Sequence, residues 1–249
     1  MKIDTARTVR ILKFIPLLFA ALAISVTIHE FGHYLAFTSL GIHVSEMKIG
    51  FGPNLIETTL PGELAFSLNL IPFAGFTVGS GLEVANLQLF GSLADKLLVD
   101  YSGIICNYLA AGFLLALLHA RAYFIGDFTV KEWTRETLLL PVKLVLLPLN
   151  IILTALSVGF IATRRSLLLR LGATETPRWL MMLAGINIGL LILNILPFPG
   201  IDGFRALYNI LAVYQMEDVL VAVPSWVYFG CLGAIIAQLN FTKVYLFKS

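Results

Sequence analysis

The chain has 249 residues, of which 58% are apolar and 13% are charged, and its formal net charge is +2. A soluble domain carries about 25% charged residues, so this composition excludes an ordinary cytosolic enzyme and a disordered chain. The small net charge excludes a nucleic-acid binder that relies on a basic surface. Cys106 and Cys231 both lie in apolar runs and offer neither a disulfide framework nor a cysteine-based zinc site. The sequence therefore predicts a membrane protein.

Several stretches are long and apolar enough to cross a membrane, which requires about 20 residues. Four of them are residues 14–40, 97–119, 179–196 and 221–239. A fifth, 138–163, carries Lys143 and two prolines. We predict a polytopic α-helical membrane protein with about four to six transmembrane helices. We expect residues 1–249 to form a single membrane-embedded domain.

The segment 44–80, between the first two spans, has a different pattern. Val44–Gly52 and Glu63–Val78 contain short alternating apolar runs, bounded by a Gly-Pro pair at 52–53 and a Pro-Gly pair at 61–62. Such runs and boundaries are typical of a β-hairpin. We therefore predict a small membrane-associated β-hairpin after the first helix.

The first span contains an H-E-x-x-H motif, His29-Glu30-Phe31-Gly32-His33. Residues four apart share one face of a helix, so both imidazoles can reach one metal ion. The glutamate between them can take a proton from water that the metal activates. Ionisable groups cost about 2.5 kcal/mol or more each inside lipid, which favours a functional role. A polar contact between helices explains the motif less well, because it needs no carboxylate between the two rings.

A catalytic zinc site needs a third protein ligand and leaves the fourth position for water. One candidate is Asp202 in the segment 194–203 (NILPFPGIDG), where two prolines interrupt the backbone hydrogen bonds of a span. Asp202 is equally explained as the N-cap of a following helix, so the residues alone leave the third ligand open. The other candidates are Glu46, Glu57, Glu63, His43 and His119.

The H-E-x-x-H motif and the N-x-x-P-x-P-x-x-D-G segment together resemble the site-2 protease family of intramembrane zinc metalloproteases. Residues 49–53 and 71–76 resemble the family's membrane-associated hairpin. Ser102–Asn107 resembles its Gly-Pro-x-x-Asn segment, with Ile104 in place of the proline. The resemblance covers residues 14–120 and 179–213. The stretch between the second and third spans leaves no room for a PDZ-like insert.

This resemblance implies a ligand set and a reaction. His29, His33 and Asp202 would bind one zinc ion. Glu30 would be the catalytic base, which later donates its proton to the leaving amine. The single domain would then be a metalloprotease that cuts a peptide bond in or near a transmembrane segment, in regulated intramembrane proteolysis.

The resemblance also implies how a substrate is held. Asn194 and Asn107 would hold the substrate backbone or the oxyanion. The hairpin edge would pair with an unwound stretch of a transmembrane protein substrate within the lipid bilayer. Four clear spans are few for a self-sufficient gate, which leaves room for a regulatory membrane partner. The alternatives are a membrane zincin of another clan, with Glu46, Glu57 or Glu63 as third ligand, and a non-catalytic metal-binding scaffold.

The topology of this multi-pass protein carries a conflict. For one metal ion to bind all three expected ligands, residues 121–178 must cross the membrane twice or not at all. We therefore expect 138–163 to be a re-entrant, interfacial or extra membrane segment. The excess of Lys and Arg away from the site places the N-terminus in the cytoplasm and the site near the outer face. The arrangement familiar in the family instead opens the site toward the cytosol, so the orientation and the membrane stay open.

Overall fold

The computed structural model describes residues 5–156, 169–170, 178–224 and 247–248, with side chains over 14–146 and 179–224. The chain divides into two compact units, residues 1–107 and 108–249. The single metalloprotease domain expected over residues 1–249 stays a prediction.

The first unit begins with a long apolar helix. Helix α1 spans Thr5–Ser39, and its part from Phe14 to Ser39 is long and apolar enough to cross a membrane. Only 28% of its most apolar window is buried. The core helix of a soluble protein would be buried over most of that window. The first predicted span is therefore a candidate membrane helix by length and composition.

A β-hairpin follows α1. Strands β1 (Val44–Leu60) and β2 (Leu64–Gly79) pair antiparallel, which confirms the predicted hairpin. Strand β1 extends beyond the predicted end at Gly52. Its residues 46–49 pair with both 65–68 and 75–78 of β2, whereas residues 56–60 pair with 64–68. Buried side chains at the base of the hairpin pack toward α1, whereas residues 51–60 are exposed throughout.

Two further helices follow the hairpin. Helix α2 (Gly81–Phe90) was not predicted. Helix α3 (Leu93–Phe124) contains the second predicted span and is the other helix, among the described residues, that is long and apolar enough to cross a membrane. Helix α3 begins in the first unit and ends in the second.

The second unit contains four more helices and a short strand pair. They are α4 (Val130–Leu156), α5 (Arg178–Ile195), α6 (Asp202–Val213), α7 (Asp218–Val221), β3 (Leu169–Arg170) and β4 (Phe247–Lys248), with β3 parallel to β4. The unit's apolar core contains Ala111, Leu114, Leu115, Leu118, Leu140, Leu144, Ala184, Ile188 and Ile192.

The predicted number of spans is supported only in part. The third predicted span corresponds to the apolar helix Trp179–Ile195, which is shorter than the about 20 residues typical of a crossing. The last predicted span, 221–239, lies outside the described residues beyond residue 224. The described residues thus support two candidate membrane helices, and the count of about four to six stays a prediction.

Most of the stretch 138–163 belongs to helix α4, in which its two prolines lie within the helix and Lys143 is paired with a glutamate. The helix starts at Val130 and continues through Pro141 and Pro148. The ammonium group of Lys143 donates a hydrogen bond to Glu136 Oε2 at 2.5 Å, and both residues are buried. A lysine neutralised in this way need not lie at the membrane surface. The re-entrant or interfacial placement of 138–163 stays a prediction, and residues 157–163 lie outside the described residues.

Candidate active site

Two histidines on consecutive turns of α1 face one point. His29 and His33 are both buried, and their Nε2 atoms lie 3.3 Å apart. Zinc–nitrogen bonds of about 2.0–2.1 Å at a tetrahedral angle place two nitrogens about 3.3–3.4 Å apart. The two rings therefore fit two corners of a tetrahedral zinc site.

Helix α3 binds the outer nitrogen of each ring. His33 Nδ1 lies 2.9 Å from the carbonyl oxygen of Val99 and donates to it, which leaves the Nε2 lone pair for a metal. The Ser102 hydroxyl lies 3.1 Å from the same Nδ1 and donates to the same carbonyl. Nδ1 of His29 lies 3.0 Å from Nδ2 of Asn107. Both Nε2 atoms are thus turned toward each other by contacts at the back of the rings.

A glycine on α3 makes room for the two ligand nitrogens. A Cβ atom at Gly103 would lie 2.6 Å from His29 Nε2 and 2.7 Å from His33 Nε2. A Cβ atom at Gly32 would meet the Ser102 carbonyl oxygen at 2.4 Å. The backbones of α1 and α3 are therefore in contact at these two glycines, as small residues allow in membrane helices.

We expect Gly103→Ala to weaken zinc binding at least about tenfold, because its methyl group would displace the imidazoles from each other. Gly112→Ala is the matched control on the same helix, since its Cβ would meet only Leu144 Cδ1 at 3.7 Å. Competition with a zinc chelator in detergent measures both affinities. Equal affinities would mean that α1 and α3 separate without cost, which contradicts the tight contact.

The carboxylate of the motif is held by the hairpin. Glu30 is buried, and the Thr77 hydroxyl lies 2.8 Å from its Oε2 and 3.1 Å from its backbone carbonyl, with hydrogen-bond geometry to both. A Cβ atom at Gly75 would lie 2.7 Å from Glu30 Cγ and 2.8 Å from Oε1. Strand β2 therefore packs directly on the carboxylate. Thr77 and Gly75 were not predicted from the sequence. A glycine two positions before a threonine, on the same face of a strand, could have indicated that another part of the chain packs closely there.

The alternative ligands in the first unit do not join the histidines. Glu57 lies on the exposed part of the hairpin, where Asn54 donates to it at 2.7 Å. Four alternative ligands lie in this unit: Glu46, Glu57, Glu63 and His43. Among the residues that the structure describes here, none of them forms a group of three metal ligands with His29 and His33. In the second unit, His119 is buried, with its ring centroid 5.8 Å from that of Phe128.

The second unit holds the remaining predicted residues. Asp202 is the first residue of α6 and is buried. The N-cap position belongs to Ile201, with no side-chain capping hydrogen bond, so the explanation of Asp202 as an N-cap is wrong. The half-buried Asn194 donates through Nδ2 to the carbonyl of Leu190 at 3.0 Å. The ligand role of Asp202 and the substrate role of Asn194 stay predictions.

The sequence model of peptidase family M50 matches residues 17–230, a range that includes both the H-E-x-x-H motif and Asp202. The chain belongs to peptidase family M50. This is the site-2 protease family, so the resemblance is confirmed. The family and the apolar helices α1 and α3 also support the predicted membrane localisation.

Relatives align with part of the chain. "Membrane metalloprotease ARASP, chloroplastic" of Arabidopsis thaliana is 32% identical over 116 residues, 43% of this chain and 25% of the relative. A "Putative zinc metalloprotease" of Clostridium perfringens is 39% identical over 101 residues, 38% of this chain and 30% of the relative. Another so named, from Synechocystis, is 31% identical over 102 residues, 38% of this chain and 28% of the relative.

The chain thus spans less than a third of the length of these relatives. The predicted enzyme class, a zinc metalloprotease, and zinc as its metal agree with the family description and with these names.

Proposed function

We propose that this chain is an intramembrane zinc endopeptidase, which hydrolyses a peptide bond in or near a transmembrane segment of a membrane protein. The observation that carries the proposal is the pair of Nε2 atoms at zinc-ligand spacing, 3.3 Å, with a buried glutamate between the two histidines in sequence. This group lies on a helix apolar enough to cross a membrane. Membership of peptidase family M50 supports the same reaction.

Each residue then has a chemical role. His29 and His33 bind zinc through Nε2, and Asp202 supplies a third, negatively charged ligand. Zinc held by these residues would supply a Lewis acid for the scissile carbonyl and would lower the pKa of water. Glu30 takes the proton of the attacking water and gives it to the leaving amine. The Thr77 hydroxyl fixes the direction of the Glu30 carboxylate by its hydrogen bond to Oε2.

The hairpin offers the substrate a place to pair. A transmembrane helix hides its peptide bonds in its own hydrogen bonds, so cleavage needs a surrogate partner for the freed groups. Residues 46–49 of β1 pair on one side with 65–68 and on the other side with 75–78, so among the described residues the segment 75–78 of β2 has one edge without a strand partner. A substrate strand on the outer edge of β2 would lie about 4.8 Å from the strand that contacts Glu30.

The setting of the reaction is part of the proposal. The protein is multi-pass, its substrate is a transmembrane protein, and a regulatory membrane partner controls access to the site. Two experimental outcomes would favour other functions. If a hairpin glutamate and not Asp202 is the third zinc ligand, the chain is a zincin of another clan. If the chain binds zinc without cleaving a substrate, it is a metal-binding scaffold.

Metal removal tests the reaction. We expect the purified chain, reconstituted in vesicles, to cut a transmembrane reporter, to stop after chelation, and to recover on addition of zinc. Mass spectrometry of the fragments locates the cut. Cleavage confined to soluble loops far from the membrane would contradict the intramembrane site. One bound zinc without any cleavage would favour the scaffold.

A further inference from the structure

The side chain of Asn107 is fully enclosed and faces a metal-binding ring. Its exposed fraction is 0%, and its Nδ2 lies 3.0 Å from Nδ1 of His29. Its Oδ1 is buried and has no hydrogen-bond partner among the residues that the structure describes. A buried amide is normally hydrogen-bonded, so an acceptor with no partner beside an imidazole needs an explanation.

The chemistry of metal binding supplies that explanation. To bind zinc through Nε2, His29 must be neutral and must carry its proton on Nδ1. The Nδ1–H group then needs an acceptor, and an amide nitrogen cannot accept a hydrogen bond. A half-turn of the Asn107 amide exchanges Oδ1 with Nδ2, two groups of nearly equal size, and places the acceptor against Nδ1–H.

We propose that Asn107 is a positioning residue for His29, which accepts the Nδ1–H hydrogen bond through Oδ1 and so directs Nε2 toward zinc. The proposal rests on the proposed zinc site and deepens it. It differs from the substrate contact that the family resemblance implies for Asn107.

The pattern on α3 supports this role. Val99, Gly103 and Asn107 are four residues apart and therefore share one face of the helix. Val99 accepts the Nδ1–H bond of His33 through its carbonyl oxygen, at 2.9 Å. The face thus presents an acceptor for one ring, space for the two Nε2 atoms, and an acceptor for the other ring. Substitution of Val99 would leave its backbone carbonyl in place, so the acceptor role on this face can be tested at Asn107.

The test measures zinc affinity of the full chain in detergent, by competition with a chromophoric chelator and without substrate. We expect Asn107→Leu to lower the affinity about 10–100-fold, the usual effect of removing a partner of a ligating histidine. Asn107→Ser, whose hydroxyl is too short to reach the ring, gives a similar loss. Asn107→Asp restores affinity to near the wild-type value, because its carboxylate accepts the same hydrogen bond.

The matched control is Asn69→Leu. Asn69 belongs to the same unit, is 1% exposed, has one Nδ2 hydrogen bond, to Gly50, and also has a buried Oδ1 without a partner among the described residues. Its substitution leaves zinc affinity unchanged, which separates loss of the His29 contact from general damage by a buried leucine.

Two outcomes would overturn the proposed role of Asn107 without affecting the proposed function. Unchanged zinc affinity in Asn107→Leu and Asn107→Ser, with cleavage lost, would make Asn107 a substrate contact. Equal loss of affinity in Asn107→Asp and Asn107→Leu would show that the acceptor is not what matters. Where Asn107→Leu fails to fold by gel filtration, Asn107→Ser and Asn107→Asp decide the matter. Failure of the proposed function looks different: the wild type binds no zinc, or His33→Ala keeps wild-type affinity.

Discussion

We expect the Glu30→Gln variant to bind one zinc ion per chain and to cleave a transmembrane reporter about 10²–10⁴-fold more slowly than the wild type. Glutamine has nearly the shape of glutamate but cannot take a proton from water. Val99 and Asn107 on α3 hold the rings of His33 and His29 through their Nδ1 atoms, so the orientation of the two Nε2 atoms does not depend on the charge of Glu30. Metal analysis gives the zinc content, and initial cleavage rates at saturating reporter give the catalytic loss.

Glu57→Gln serves as the control for this loss. Glu57 is an exposed hairpin residue with a hydrogen bond from Asn54, so its neutralisation removes a charge far from any ligand face of α1. We expect a wild-type cleavage rate. If Glu30→Gln cleaved the reporter at the wild-type rate, Glu30 would not be the catalytic base. The general base expected from the family would then have no assigned residue in this chain.

We expect the Asp202→Asn variant to lose zinc more completely than variants of Asn107, which contacts a ligand ring from behind. A neutral amide oxygen is a weaker ligand than a carboxylate, and the substitution removes the only negative charge in the proposed ligand set. We expect the loss of affinity to exceed the about 10–100-fold of outer-partner variants. Zinc per chain after passage over a chelating resin measures the effect, and cleavage of the reporter falls with it.

Asp218→Asn is the matched control for this experiment. Asp218 also lies in the first turn of a helix, α7, but it is exposed, so its substitution leaves zinc bound. Wild-type zinc affinity in Asp202→Asn would refute the ligand set. Glutamine variants of Glu46, Glu57 and Glu63 would then identify the third ligand of a different clan.

The H-E-x-x-H site was predictable because helix geometry alone brings residues four apart onto one face. The two imidazoles and the glutamate needed no knowledge of the tertiary fold. The hairpin was predictable for a similar reason, since its Gly-Pro and Pro-Gly pairs bound the strands locally. The length of β1 was not, because the strand continues through Pro53 to Leu60 and pairs with two different parts of β2.

The partners of the site depend on long-range packing and left weaker traces in the sequence. Val99 acts through a backbone carbonyl, which any residue would provide. Thr77 and Gly75 reach Glu30 only because β2 folds back on α1. The ion pair of Lys143 could not be predicted from the stretch 138–163, because its partner Glu136 lies outside that stretch.

The hairpin combines two very different local stabilities. Its base, residues 44–50, contains the buried Met47 and Ile49 and packs on α1, whereas residues 51–60 are exposed on every side chain. Residues 56–60 pair only with 64–68, so this exposed edge is held from one side and the free energy needed to open it is small. The base opens only when its contacts with α1 are lost. Opening of residues 56–60 therefore leaves the geometry around Glu30 undisturbed.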